Sequence, residues 1–131
     1  MGSEFTFYDY VDGDRNAIRD WLYDEREVSK KARAKFQNGM LNLEGWPPPW
    51  PERPYYARLD GQCDGLFELR VPLDKQYRIL GFHFGRTPTL LHCFVKSGAR
   101  VPPAECERAN AKRARVMADP AKYRVEHYYG R

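Results

Sequence analysis

The chain is poor in the residues that build metal centres and disulfide frameworks. Its 131 residues include three cysteines and three histidines, and Cys63, Cys93 and Cys106 are odd in number and widely spaced. No Cys-x-x-Cys pair or Cys/His cluster occurs, so neither a zinc site nor a disulfide framework is expected. Three unpaired thiols suit a reducing cytoplasm. No apolar run approaches the roughly 18 residues that a membrane helix needs. No signal-peptide pattern precedes the first charged segment, so a cytoplasmic location without membrane attachment is expected. Carboxylates and histidines nowhere cluster with metal-ligand spacing, and neither a metal nor a small-molecule cofactor is expected. Internal repeats are lacking too, and one short proline-rich tract is the whole of the compositional bias.

What remains describes one folded domain. Hydrophobic residues make up 42% and charged residues 31%, a balance that buries a core rather than leaving the chain disordered. Met1-Gly2-Ser3-Glu4-Phe5 reads as a cloning remnant, which leaves 6–131 as a single domain. The net charge of +4 with a pI near 9.0 is unevenly placed. Residues 99–131 carry eight Lys/Arg against four Asp/Glu, an excess as large as that of the whole chain. Such a surface draws polyanions or an acidic protein partner, and a solvated basic helix is the plainer alternative.

Periodicity orders the elements. Thr6–Val11 alternates as a strand, and Asp12-Gly13-Asp14 offers a turn and a helix cap. Ala17, Ile18, Trp21 and Leu22 form the stripe of a short helix. A second helix is predicted over Glu27–Glu44, with Val28, Ala32, Phe36, Met40 and Leu43 on one face. The five prolines from Pro47 to Pro54 forbid helix and central strand, so 45–54 is expected as a stiff connection. It could present a ligand for an SH3 or WW module, or lay its two tryptophans over an open side of the core. Strands are then predicted at 55–59, 66–71, 76–84 and 89–95, joined by turns too short for parallel crossovers and therefore antiparallel. A basic helix from about Pro102 to Ala118 closes the series. By side-chain parity, Arg78 shares a face with Leu80, Phe82 and Phe84. Leu91, Cys93 and Val95 share one face of the next strand, and His92, Phe94 and Lys96 the other. Strands apolar on both sides imply that both sheet faces are covered.

Three of these segments in this order, GLFELRV (65–71), QYRILGFHF (76–84) and LLHCFVKSGARVPPAE (90–105), resemble the HigB-like toxins and their phage-derived relatives in the RelE/ParE superfamily. The likeness spans roughly residues 6–123. It implies an α+β fold, a twisted antiparallel sheet with two N-terminal helices packed on one face and a basic C-terminal helix at the edge. It implies a toxin of a type II toxin–antitoxin system, acting on the ribosome and its mRNA as a metal-independent endoribonuclease, and a cognate helix-turn-helix antitoxin. Non-enzymatic members of the superfamily, such as gyrase poisons or degenerate phage-derived binding proteins, are the alternative. Where those toxins usually carry Thr before the helix proline, this chain has Val101, and Ser97-Gly98-Ala99 stands where they carry lysines.

Cleavage by the 2′-hydroxyl needs a proton acceptor, a proton donor and cations at the phosphate, and the resemblance directs attention to four residues. Arg78 is the first candidate for the scissile phosphate, with a salt bridge to Glu68 as the structural alternative. Arg70 is a candidate for the same phosphate, with capping of a carboxylate as its alternative, and Lys96 for a phosphate contact or proton donation, with a solvated strand end as its alternative. His92 is a candidate for acid–base work unless it is a hydrogen-bonded core residue. Lys112, Arg113 and Arg115, with Arg100, are the candidates for contacts to the RNA backbone.

Overall fold

The computed structural model describes residues 5–130. Residues 1–4 of the suspected cloning remnant lie outside it, whereas Phe5 lies within, the Arg86 guanidinium 4.9 Å above its ring.

Strand β1 (Tyr8–Tyr10) leads into α1 (Ala17–Leu22) and α2 (Lys30–Glu44). The meander β2 (Tyr56–Arg58), β3 (Phe67–Pro72), β4 (Gln76–Phe84) and β5 (Thr87–Lys96) follows, with a 3-10 turn at Gly61–Cys63. Helix α3 (Pro103–Ala118), the short α4 (Pro120–Tyr123) and β6 (Arg124–Glu126) complete the chain. The helix starts have local causes. Asn16, rather than the Asp12–Asp14 turn, caps α1 by accepting from the Arg19 amide. Ser29 caps α2 through the Ala32 amide, which moves its start from the predicted Glu27 to Lys30.

The six strands lie in the order β2-β3-β4-β5-β1-β6. The meander is antiparallel as predicted, but β1 pairs with β5 in parallel, with Tyr8 opposite Thr89. The two helices between β1 and the meander supply the long connection that a parallel pair requires. Both faces are covered. α1 and α2 pack Ile18, Leu22, Phe36 and Met40 against Phe67, Leu69, Tyr77 and Ile79. Each such side chain, once buried, contributes about 1.5–3 kcal/mol. Rather than sitting at the sheet edge, α3 lies across the opposite face, burying Cys106, Ala109 and Val116 against Leu80, Phe82, Leu91 and Phe94.

The parity predicted for β5 fails at one residue. Leu80 pairs with His92 while Gly81 pairs with Leu90, so Leu91 is the extra residue of a β-bulge and turns to the α3 side. Gly81 permits this tight spot: a Cβ there would stand 2.6 Å from both the Phe67 ring and the Thr89 carbonyl. The expectation of three free thiols also fails. Cys63 and Cys106 are disulfide-bonded across a separation of 43 residues, leaving Cys93 free. Spacing could not reveal this pair, because the fold rather than a local motif brings the 3-10 turn beneath α3. In the proline-rich connection, Trp50 is buried and stacks on Phe7, whereas Trp46 is exposed, so one tryptophan of the two covers the core. Among the described residues, no helix is long and apolar enough to cross a membrane.

Candidate functional site

Strand register sets the polar end of the α3-side face. Glu68, Arg70, Gln76, Arg78, His92 and Lys96 all point to this side, in cross-strand pairs Arg70–Arg78, Glu68–Leu80, Arg78–Phe94 and Gln76–Lys96. Two guanidiniums directly opposite each other repel. Glu68, 1% exposed, lies between them. Its Oε1 accepts from Arg70 Nε at 2.7 Å, and its Oε2 lies 3.3 Å from Arg78 Nε. The second contact is an ion pair whose alignment falls short of a hydrogen bond. Arg78 also donates to the Tyr77 carbonyl and to Gln76 Oε1, at 3.1 and 3.2 Å. Burial pulls the Arg78 guanidinium below its ordinary value, and Glu68 works against that pull. An arginine remains charged through such a shift.

Helix α3 begins too late to cover this end of the sheet. A cleft of about 820 Å³ remains, lined by Glu68, Arg70, Lys96 and Arg100, with Cys63 and Asp60 on the β2–β3 side. Pro102 and Pro103 form the wall opposite, where the positive end of the α3 dipole lies. Val101 is no capping residue, and the N-cap position, Pro102, offers no side-chain acceptor to the first amides. The cleft thus joins three cationic side chains and a helix N-terminus to the buried Glu68 carboxylate and the exposed Asp60, a net positive lining.

Of the four residues singled out for catalysis, Arg70 and Lys96 line this cleft, and Arg100, expected beside the helical cations, joins them instead. Arg78 sits behind them, 6% exposed, and reaches the cleft through Glu68. The salt bridge weighed as its alternative is present. Glu68 itself, considered at first only as that bridge's partner, is the residue whose role sequence reasoning missed. A glutamate flanked by Phe67 and Leu69, on the same strand face as Arg70, was the available signal.

His92 stands apart from the cleft. Its Nε2 lies 2.8 Å from Glu105 Oε1, which also accepts from Arg108 Nη1. It lines a separate hollow of about 410 Å³ with Trp21, Cys93 and Lys112. Burial lowers its proton affinity, partly offset by the Glu105 hydrogen bond. Of the three helical cations, Arg113 parts from the other two. Lys112 reaches over the Tyr10 ring at 5.5 Å and Arg115 donates to the Tyr10 hydroxyl, while Arg113 turns to Gly65 on the other flank. Successive helix residues point about 100° apart, so adjacency in sequence did not make one patch. Among the described residues, no group of three or more His, Cys, Asp and Glu could hold a metal ion.

Residues 24–114 match the family described as "Phage derived protein Gp49-like (DUF891)". No curated protein and no solved structure gives a significant match.

Proposed function

Since the chain belongs to the phage-derived Gp49-like family, a RelE/ParE-like toxin family of toxin–antitoxin systems, we propose that it is a HigB-like toxin that cleaves mRNA on the ribosome. Family membership implies an antitoxin partner; the helix-turn-helix type is part of the proposal. The observation that carries the reading is the convergence of Arg70, Lys96 and Arg100 on one cleft over a carboxylate that fixes Arg70 in place.

In this reading the scissile phosphate lies against Arg70, whose planar guanidinium suits two phosphate oxygens at once. The 2′-hydroxyl gives up its proton to solvent water in the open cleft as it attacks the phosphorus, and Lys96 neutralises the charge that builds there. The P–O5′ bond breaks as Lys96 gives a proton to the departing 5′-oxygen. Arg78 and Glu68 are positioning residues. Together they hold Arg70 at the angle the phosphate needs, on strands rather than on a loop. His92 contributes to packing under α3 and not to proton transfer. The cleft lining includes no histidine, which favours a second reading, a binding protein that grips a polyanion without cutting it.

Induced expression without antitoxin tests the proposal. Growth and amino-acid incorporation should stop within minutes, and Arg70→Ala should restore both. Continued growth with the parent protein, at confirmed expression, would remove the toxin reading. Arrest that Arg70→Ala leaves intact would move the activity away from this cleft.

A further inference from the structure

A second hollow, of about 710 Å³, lies where β3 runs on past the end of β2, and Arg70 lines both it and the cleft. Its remaining walls come from α2, the residues before β2, and the β3–β4 turn. Lys35 and Arg53 stand on its rim, and no acidic side chain lines it. Among the described residues, neither cation has a carboxylate partner within ion-pair distance. Arg53 donates instead to the Pro51 carbonyl.

The floor is aromatic and held in place. Tyr55, partly exposed, lays its ring against Gly39, where a Cβ would come 2.9 Å from the ring. Its hydroxyl donates to Asn42 Oδ1. A glycine within a helix costs about 1 kcal/mol relative to alanine, and here it makes the space that seats the ring. Val71 and Leu73 extend the apolar floor beside it, and Asn38 presents an amide.

Resting on the reading of the cleft as an RNA site, we infer that this hollow is a second nucleotide subsite, occupied by single-stranded RNA that leaves the cleft across the sheet edge at Arg70. One base stacks on Tyr55, the neighbouring phosphates meet Lys35 and Arg53, and the asparagine amide faces the base edge. Stacking on a fixed aromatic with flanking cations is how single strands are gripped without sequence preference. An acidic peptide would use the cations but leave the flat ring floor without a match.

The test is binding of uncleavable 2′-O-methyl oligoribonucleotides of two, four and six nucleotides, read by fluorescence anisotropy at low salt. Affinity for the parent protein should rise at least about tenfold from two to six nucleotides, as one stacked base and two phosphate contacts imply. The Lys35→Gln/Arg53→Gln pair and Tyr55→Leu should each remove most of that rise and leave dinucleotide binding unchanged. Tyr55→Phe, which keeps the ring, should retain it, and this distinguishes loss of stacking from loss of fold. A length gain that survives in the substituted proteins would overturn the inference while leaving the cleft's role standing. Variants that keep the RNA length gain but lose an acidic protein partner would overturn it equally. Failure of the parent to bind any of the three oligonucleotides would overturn the RNA reading of the cleft and this inference together.

Discussion

Replacing Glu68 with glutamine removes one charge and almost no volume, and the structure sets the size of the effect. The side chain is 2% exposed and serves two guanidiniums that face each other across β3 and β4. On the Arg70 side the loss is small, because that side chain is 38% exposed and solvent screens it, leaving under about 1 kcal/mol. The Arg78 side dominates. Its side chain is 7% exposed and its guanidinium would keep its charge with no counter-ion, and stranding a buried charge costs about 3–5 kcal/mol. Glutamine retains one acceptor oxygen, so the expected loss is near the lower bound, about 3 kcal/mol. For 131 residues that is a fall in Tm of roughly 10 °C. Urea unfolding followed by tryptophan fluorescence measures it directly, with an unchanged slope confirming that only stability moved. The double substitution Glu68→Leu/Arg78→Met removes both charges and should be less destabilising than Glu68→Gln alone, since buried pairs exchange for apolar pairs at little cost. A loss below about 1 kcal/mol for Glu68→Gln, or a double variant less stable than the single, would refute the clamp.

Three further outcomes follow from the same geometry. Arg70→Ala and Lys96→Ala lie at the open rim of the cleft, so each should relieve toxicity while changing stability by less than about 1 kcal/mol in urea melts; Arg78→Ala should instead unfold at markedly lower denaturant. Oxidised protein should yield one thiol to a chromogenic reagent, slowly in the native state and at once after denaturation, because Cys93 is only partly exposed in the His92 hollow and burial pushes its thiol well up; reduction of Cys63–Cys106 should cost about 2–4 kcal/mol. Burial is the main force holding both His83 and His92 below the ordinary imidazole value near 6.5. The unfolded chain therefore takes up protons first as pH falls, and stability should decline below about pH 6.5, with a flatter profile in His83→Gln/His92→Gln.

The elements with strong local patterns were legible from the residues. The stripe of α2, the alternation in β4 and the short turns of the meander each require no distant contact. Apolar residues on both sides of β4 and β5 correctly announced a covered second face. What escaped depended on distant partners. β6 is three residues, Arg-Val-Glu, with no apolar pattern, and exists because its backbone pairs with β1. His127 follows it into a buried network, its Nδ1 2.7 Å from Asp9 and its Nε2 2.8 Å from Gln37, residues 118 and 90 positions away. The Leu91 bulge and the Cys63–Cys106 bond are likewise products of packing. At the site, Lys96 could be singled out because a charged residue at a strand end stands out against apolar neighbours, whereas Arg70 was reached through the family resemblance and Arg100 through the basic excess of residues 99–131. Burial of Arg78 could not, since parity gives a face but not how deeply the face is covered.

Mapping mRNA 5′ ends after induction tests the central claim most directly, comparing the parent with Arg70→Ala/Lys96→Ala at matched protein levels. The account predicts new 5′ ends within translated reading frames in cells making the parent, and none above background with the double variant. Growth arrest by the parent without any new mRNA ends would contradict cleavage and leave the cleft as a site that binds a polyanion without cutting it.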